Sequence, residues 1–490
     1  MPASKTTAWR RMAVAILVWF HRWLGVTTCV IVAAWFASGA VLLFVPFPSL
    51  SRTAQLTLEA PLDVRSVTVP PAVAIRTVGG QASGLRLINR AGRSSYVVMV
   101  PAGAVAVDAR TGTLLANLSP SSASEEAKRL FGAAGTAVGP VDHDQWIVHN
   151  RFDPYRPYFR LDAHDEADTQ IYLSARTGEL LQRTTRSNRA WNWVGAVLHW
   201  AYVTPLRSSF TAWDRGVWWV SLVCLLVVVA GIALGFSRMA AARRMRTPSL
   251  TFYRMWWLRW HHLLGLFVGI FVFGWMMSGW LSMDHGRIFS RGTATLPQAT
   301  RYQRLTREKA FTPLDPMMLR SLPPAKEVTF SVVAGTAMLT TYDGAHAASR
   351  FDVRGKVIDD RQLSRLLKVA AERAWPGGRV SRIAPVDPLS TYAMAEGWPS
   401  TARRITFVSS SLPDIYVDAA DGGILTVMNT SRAAYAWVYY ALHTFNVPGL
   451  TARPIVRRVL MLIPLIAGFL FSITGVVIGW KRLRQTLRSQ

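Results

Sequence analysis

Four of the ten histidines stand at the edges of long apolar runs, and they fall into two matched pairs. His21 lies inside the first run, near its start, and His261 lies just before the third, whereas His199 and His443 lie just before the other two. An imidazole is a poor group to expose to lipid, because polar side chains within membrane spans normally face the interior of a helix bundle and serve a function. These residue types at these positions therefore indicate a site that needs paired nitrogen ligands.

Two opposed neutral imidazoles supply the axial bonds of a six-coordinate b-type haem, and a helix bundle supplies an apolar slot for the porphyrin. We predict that His21 pairs with His261 near one membrane surface and that His199 pairs with His443 near the other. The four histidines would then be the axial iron ligands of two b-type haems. Arg22, next to the first of them, would pair with a propionate.

Two further histidines are cofactor-binding candidates, and the sequence leaves their roles open. His262 directly follows His261, and neighbouring residues on a helix point about 100° apart, so the two cannot hold one iron along the same axis. Either could be the ligand, and the other would bond a propionate. His285 lies at the far end of the same run. A zinc ion would need three or four donors in one layer, and a hydrogen-bonded interhelical histidine is the ordinary alternative for any single position.

The elements that must position these residues are membrane helices. A span takes roughly 20 apolar residues, and the first run, which contains His21, is too long for a cleaved signal peptide. Basic residues flank the chain ends and the short link between the second and third runs, so these parts are predicted to be cytoplasmic. Two large loops, 47–212 and 284–455, would then be periplasmic in a bacterial inner membrane. The predicted spans are Met12–Val45, Val217–Phe236, Leu263–Met283 and Val459–Trp480.

The chain also repeats itself. "HRWLGVTTCVIVAAWFASG" (21–39) aligns with "HHLLGLFVGIFVFGWMMSG" (261–279) at an offset of 240, and "IYLSARTGELL" (171–181) aligns with "IYVDAADGGIL" (415–425) at an offset of 244. Each half therefore reads as helix, outer domain, helix, which predicts two parallel repeats about a pseudo-twofold axis along the membrane normal. Aligned pairs include Ser38 with Ser278, Gly39 with Gly279, Trp193 with Trp437, His199 with His443, and Gly231 with Gly475.

The outer loops have α+β patterns. Residues 94–115 and 158–181 have strand composition interrupted by Thr-Gly turns, and 125–134 is typical of a short helix. In the second half, 348–360 and 362–375 repeat the strand and helix patterns. A helix followed by strands that end in D-x-x-T/D-G-x-L/V resembles the PepSY module, and the length predicts two such modules in each half.

Each half has the order helix, PepSY region, helix, and the first half has a juxtamembrane "HRWLG". This repeated arrangement resembles the PepSY-associated transmembrane family of iron-regulated inner-membrane proteins. The resemblance implies a fold of four transmembrane helices with periplasmic PepSY-like domains, and some members of this family are ferric-siderophore reductases with two b-type haems. The second copy departs from the pattern, since it has "HHLLG" where the first has "HRWLG".

The predicted fold is a membrane α-helical bundle with α+β PepSY-like periplasmic domains. The predicted bounds are 1–46 for the first helix, 47–190 for the first periplasmic region, 191–240 for the second helix with its juxtamembrane part, 241–254 for the cytoplasmic link, 255–285 for the third helix, 286–434 for the second periplasmic region, and 435–490 for the fourth helix with its basic tail.

Candidate substrate residues come from two outer stretches that combine aromatic and basic side chains. They are Trp146 and Arg156 in the first half, and Trp398 and Arg403 in the second. A basic outer surface would attract an anionic ferric chelate, although arginine is abundant throughout a chain of net charge +27. The stretch 141–159 also holds a possible metal site, for which solvated loop residues are the plainer explanation.

The sequence thus predicts a di-haem cytochrome that reduces a ferric siderophore or another ferric chelate and releases Fe(II). No nicotinamide, flavin or phosphate-loop motif is present, so a quinol or a cytoplasmic flavoprotein would donate the electrons. Membrane lipid is an expected partner and nucleic acid is not. The two cysteines, both in spans, exclude a disulfide framework. A membrane-anchored, non-enzymatic PepSY regulatory or chaperone-like protein is the alternative, and a transporter is disfavoured because the spans hold no acidic residue before Asp284.

Overall fold

The computed structural model describes residues 3–245, 249–284, 287–344 and 348–488. In those residues four helices are long and apolar enough to cross a membrane, namely α1 (Ala3–Leu42), α8 (Phe210–Arg244), α9 (Trp256–Ser282) and α15 (Pro454–Arg488). The other α-helices are α2 (Arg52–Leu58), α3 (Pro71–Thr77), α4 (Pro120–Phe131), α5 (Arg186–Asn192), α6 (Leu198–Trp200), α7 (Thr204–Arg207), α10 (Leu296–Gln303), α11 (Arg307–Phe311), α12 (Asp360–Ala374), α13 (Thr391–Glu396) and α14 (Thr430–Ala436).

The membrane helices extend beyond most ends of the apolar runs that predict them. α8 begins at Phe210 because the Ser209 side chain caps it by accepting a hydrogen bond from the backbone nitrogen of Ala212. This extension places Asp214 inside the helix, where the sequence predicted no acidic residue before Asp284. Asp214 forms an ion pair with Arg287, which satisfies its charge. Hydropathy detects the apolar run alone, whereas helical hydrogen bonding continues through the polar residues at its ends.

The four membrane helices form a ring in which α1 and α9 each pack against both α8 and α15. Phe36, Cys224, Val272 and Trp275 are among the buried residues at its centre. Gly468 allows α15 to approach α1, because a Cβ at that position would collide with the Phe36 ring. We call the end of the ring where α1 and α9 end the sheet end, and the opposite end, where α8 ends and α9 begins, the link end.

The strands form three antiparallel sheets in the part of the chain that the structure describes. One sheet has six strands in the order β10-β9-β8-β1-β2-β3, and two have four strands each, in the orders β4-β5-β6-β7 and β11-β12-β13-β14. The strands are β1 (Gly84–Arg90), β2 (Arg93–Val100), β3 (Gly103–Asp108), β4 (Thr136–Val141), β5 (Tyr158–Asp162), β6 (Gln170–Ser174), β7 (Leu180–Thr184), β8 (Glu327–Val333), β9 (Thr336–Tyr342), β10 (Ala348–Phe351), β11 (Val380–Pro385), β12 (Ala402–Phe407), β13 (Asp414–Asp418) and β14 (Ile424–Met428).

The six-stranded sheet joins the two halves of the chain. β1 pairs with β8 in the register Arg86 with Thr329, Leu87 with Val328 and Ile88 with Glu327. Two separate modules per half were expected, but the first three strands of each half share one sheet. The physical reason is that a free edge strand exposes unpaired backbone groups, and pairing β1 with β8 removes one edge from each half.

Short helices cover the sheets and complete their cores. α4 packs on β4 and β5, while α12 packs against β11 and α10. The helix pattern at 125–134 corresponds to α4, which starts earlier because Ser119 caps it at Ser122. The pattern at 362–375 corresponds to α12, which Asp359 caps at Gln362. Four membrane helices with antiparallel α+β domains agree with the predicted class of fold.

A buried charge cluster holds the joint between the halves. Arg86 on β1 forms ion pairs with Glu179, at 2.5 Å, and with Glu327 on β8, at 3.5 Å. Arg52 also contacts Glu327, at 2.5 Å. Although burial opposes ionisation of Glu327, these two arginines keep its pKa below the ordinary value. The cluster therefore ties the six-stranded sheet to the loop before β7.

Candidate functional site

At the link end, one histidine from each half meets inside the bundle. His21 on α1 and His261 on α9 have ring centres 6.4 Å apart, with a 42° angle between the ring planes. The two helices lie across the ring from each other, so their histidines approach through its interior. The first predicted pair is therefore brought together.

At the sheet end, His199 and His443 form the second pair. Their ring centres are 6.3 Å apart and their planes are inclined by 60°. Each histidine belongs to a short connection before a membrane helix, and each connection contains π-helix, at Trp193–Val197 and at Trp437–His443. π-Helical turns are rare and occur frequently at functional sites, because the wider turn redirects a side chain.

Hydrogen bonds at Nδ1 select the tautomer of the neutral rings in the link-end pair. The Nδ1 of His21 lies 3.0 Å from the carbonyl oxygen of Val227, which can only accept, so Nδ1 donates. The Nδ1 of His261 lies 2.9 Å from the Oγ1 of Thr474, whose hydroxyl donates its own hydrogen to the carbonyl oxygen of Phe471 at 2.5 Å. That hydroxyl therefore accepts from His261, and both rings carry hydrogen on Nδ1.

The sheet-end pair has the same arrangement with serine as the partner. His199 Nδ1 is 3.0 Å from Ser38 Oγ, and His443 Nδ1 is 3.0 Å from Ser278 Oγ. Each serine donates its own hydrogen at 3.2 Å to the carbonyl oxygen three residues earlier. Each therefore accepts from its histidine, and these rings too carry hydrogen on Nδ1.

In the neutral form, all four rings consequently present Nε2 as an unprotonated acceptor. Within the described residues, none hydrogen-bonds to the Nε2 of His21, His199, His261 or His443. A neutral imidazole that binds a metal donates its other ring hydrogen to the protein, which fixes the tautomer and the ring orientation. The Nδ1 bonds in both pairs meet this requirement.

The separation of the rings also suits a shared iron. A histidine nitrogen binds a first-row metal at about 2 Å, and the ring centre lies roughly 1 Å beyond it, so two rings on opposite sides of one iron have centres about 6 Å apart. The observed separations are 6.4 and 6.3 Å. Both separations are therefore compatible with one iron between the two rings of each pair.

Glycines make room for the rings on the facing helices. A Cβ at Gly231 of α8 would lie 2.7 Å from His21 Cε1, and one at Gly475 of α15 would lie 3.5 Å from His261 Cε1. At the sheet end, Gly39 faces His199 at 3.5 Å and Gly279 faces His443 at 3.3 Å. Each histidine thus lies against a glycine, most tightly at Gly231.

A cavity of about 630 Å³ surrounds the sheet-end pair. This size is within the range of small-molecule and cofactor sites. Its walls are mostly aromatic and aliphatic, with a few polar groups between them. Residues that line it include Trp35, Phe36, Phe47, His149, Trp200, Tyr202, Trp213, Trp275, Trp280, Tyr439, Asn446, Arg457, Met461 and Leu465.

The structure separates the roles of His261 and His262. His262 is engaged by α8, since its Nε2 lies 2.9 Å from the carbonyl oxygen of Gly235, to which it donates. Its Nδ1 is buried and has no hydrogen-bond partner among the described residues. Because His261 faces His21, the geometry favours His261 as the ligand. Arg22 is exposed, and His285 lies outside the described residues.

The four candidate substrate residues are not gathered in one place. Trp146 is only 5% exposed and packs between Phe47 and the tryptophan at 193. Arg156 forms an ion pair with Asp153 at 2.6 Å, and Arg403 forms one with Asp360 at 3.0 Å. Trp398 lies over Tyr416 with ring centres 4.3 Å apart. None of the four lines the cavity.

The possible metal site in 141–159 is not assembled either. Asp144 accepts hydrogen bonds from the Tyr172 hydroxyl, at 2.6 Å, and from the Trp146 backbone, at 3.2 Å. Burial lowers the pKa of His143, and Arg156 lowers it further. His149 instead lines the cavity. No group of three or more His, Cys, Asp or Glu side chains that could hold a metal ion occurs in the described part of the chain.

Sequence reasoning missed the residues that orient the ligands. The alignment of Ser38 with Ser278 could have identified these two serines as candidates. Thr474 has no comparable counterpart in the aligned pairs. Trp275 donates from Nε1 to the carbonyl oxygen of His443 at 3.0 Å, and Tyr439 lies 5.6 Å from the His443 ring. Trp275 aligns with Trp35 in the stretches 21–39 and 261–279, which was also a usable signal, whereas Tyr439 lies in the π-helical segment and belongs to no motif.

Comparison with known proteins agrees with this architecture. No curated protein and no solved structure gave a match to the chain. The profile of one family, described as the PepSY-associated TM region, matches residues 18–482, which is nearly the whole chain. The chain belongs to the family of the PepSY-associated TM region.

Proposed function

We propose that this protein is a di-haem b-type cytochrome of the bacterial inner membrane that reduces ferric-siderophore or other ferric chelates in the periplasm. The observation that carries the proposal is the set of four histidines that have no hydrogen bond at Nε2 among the described residues and that lie in two pairs, with ring centres 6.4 and 6.3 Å apart, one ring from each half. His21 and His261 would hold one haem, and His199 and His443 the other. Bound haem supplies reversible one-electron transfer at its iron.

Parallel repeats and a pseudo-twofold axis belong to this proposal. A twofold axis between two copies of one strand requires them to pair antiparallel. β1 and β8, the first strands of the two halves, pair in this way. The ring in which α1 and α9 lie opposite each other supports the same axis.

The orientation follows from the basic residues at the link end and at the chain ends, which the positive-inside rule assigns to the cytoplasm. The sheet end then faces the periplasm. Along α1, His21 and Ser38 are 17 residues apart, or about 25 Å at 1.5 Å per residue. The two histidine layers would thus lie near opposite membrane surfaces, with Phe36 and Trp275 in the buried core.

The protein's own groups set the conditions for electron transfer. The Nδ1 bonds orient the four imidazoles and select the tautomer that leaves Nε2 free in the neutral ring, and the apolar walls of the bundle exclude water from the ligands. A quinol or a cytoplasmic flavoprotein would supply electrons at the link end. One quinol yields two electrons and two protons, so it can reduce two ferric chelates. Each chelate accepts one electron, and its iron is released as Fe(II).

The first experiment measures the cofactor. Protein purified after growth with sufficient iron and haem precursor should contain two haems per chain, with low-spin bis-imidazole spectra. One haem per chain, or none, would contradict the di-haem proposal and favour the alternative of a membrane-anchored regulatory protein.

The second experiment measures the reaction. The protein is reduced with dithionite, freed of excess reductant and mixed anaerobically with a ferric siderophore and a ferrous chelator. Rapid haem reoxidation with formation of the ferrous complex is expected, and the gallium(III) form of the same siderophore is the matched control that accepts no electron. Reduced haem that stays stable with every ferric chelate would contradict the reductase activity.

A further inference from the structure

The halves differ at one charged position in the sheet-end cavity. Arg457 lies on the same face of α15 as Met461 and Leu465, one and two turns further along, and all three line the cavity. Arg457 is the one lysine or arginine among the described residues of that lining. A cation on an apolar wall is costly unless an anion or several hydrogen bonds compensate it.

The protein compensates this cation only in part. The Nη1 of Arg457 donates to the carbonyl oxygen of Thr444 at 3.0 Å and to Asn446 Oδ1 at 2.7 Å. Its Nε is buried without a hydrogen-bond partner. Within the described residues, Arg457 has no carboxylate in ion-pairing distance. Two neutral acceptors therefore hold the guanidinium, and its charge is left unbalanced.

The other half shows that the bond to the backbone does not need a charge. At the offset of 244, Arg457 aligns with Trp213, and Thr444, which follows His443, aligns with Trp200, which follows His199. The Nε1 of Trp213 donates to the carbonyl oxygen of Trp200 at 2.7 Å. A neutral tryptophan thus makes the equivalent bond, so the charge at position 457 requires a different explanation.

We propose that Arg457 binds a carboxylate of the group held between His199 and His443, and that this one-sided cation fixes the orientation of that group. The inference rests on the proposed function, in which the group is a haem with two propionates. Arg457 stands in the first turn of α15, so the carboxylate edge would point toward the sheet end on the side of the second half. Because a cation disfavours the ferric state, Arg457 would also raise the reduction potential of that haem.

The test compares Arg457→Gln with Arg457→Lys in the full-length holoprotein, by redox titration and electron paramagnetic resonance. Arg457→Gln keeps a hydrogen-bond donor and loses the charge. In Arg457→Gln we expect two low-spin haems and a lower midpoint reduction potential for the His199–His443 haem. A tenfold change in the one-electron equilibrium constant corresponds to a decrease of about 59 mV. Arg457→Lys should restore most of the difference. Arg458→Gln, at the exposed neighbouring position, is the control and should change neither midpoint.

Other outcomes would overturn the inference. An unchanged midpoint in Arg457→Gln would mean that no carboxylate depends on the charge. A high-spin spectrum would mean that Arg457 only supports the backbone next to His443. The same conclusion would follow if the midpoint potential of Arg457→Lys were as low as that of Arg457→Gln. Both differ from failure of the proposed function, which would appear in the unaltered protein as the absence of two bis-histidine haems.

Discussion

The Oγ of Ser278 lies 3.0 Å from the Nδ1 of His443 and donates its own hydrogen to a backbone carbonyl one turn earlier. This direction of donation, and not the mere proximity, leaves the Nε2 lone pair available for a metal. Ser38 has the same relation to His199, so one local device occurs in both halves.

Ser278→Ala should weaken the sheet-end site without removing its ligand. The His443 ring would lose the acceptor that holds its tautomer, and such supporting groups typically contribute 10–100-fold in metal affinity. Haem titration should therefore show weaker retention of one haem of the two. Ser282→Ala is the matched control, because Ser282 also lines the cavity but donates to the carbonyl oxygen of Gly279 instead. Equal loss in the two variants would contradict the role of Ser278.

Gly231→Ala should disturb the link-end pair far more than Gly475→Ala. The new methyl group would lie 2.7 Å from His21 Cε1 in the first variant, and 3.5 Å from His261 Cε1, an ordinary contact, in the second. The His21 ring would have to move, which weakens its bond to Val227. We expect a high-spin or missing link-end haem in Gly231→Ala and an unaltered spectrum in Gly475→Ala. Similar spectra for both variants would argue against the close fit of His21.

His21→Ala and His443→Ala should affect different haems. The two rings belong to pairs at opposite ends of the bundle, and alanine supplies no ligand. Each variant should lose one transition in a redox titration and keep the other. The double variant His21→Ala with His261→Ala should resemble His21→Ala alone, since both changes fall on one site. Loss of the same spectral component in His21→Ala and His443→Ala would show that the layers are assigned wrongly.

The paired histidines could be predicted because the repeat marks them twice. His21 and His261 are aligned by the sequence around them, and apolar runs locate the helices that carry them. The choice between His261 and His262 could not be made in this way. It depends on which ring faces the interior, and the carbonyl oxygen of Gly235 that engages His262 belongs to a different helix.

Long-range pairing and local backbone shape account for most of what was missed. The contact of β1 with β8 joins residues about 240 positions apart, and no short pattern encodes it. π-Helical turns have nearly the same side-chain pattern as α-helix, so Trp193–Val197 and Trp437–His443 gave no signal. Trp146 was expected at a substrate surface but is buried. The pattern of apolar and polar residues in a strand-rich region does not distinguish a buried aromatic side chain from an exposed one.

Glu59→Gln should change how the stability of the outer domains depends on pH. Burial, followed by the charges of Glu179 and Glu327, raises the pKa of Glu59 from 4.5 to about 8. Between these values the folded protein binds more protons than the unfolded chain, so stability falls as the pH rises through that window. Thermal unfolding in detergent should show a midpoint that decreases from pH 5 to pH 9 in the original protein and decreases less in Glu59→Gln. Glu125→Gln, on the exposed side of α4, is the control and should follow the original protein. If Glu59→Gln followed it as well, protonation of Glu59 would not be the source of the pH dependence.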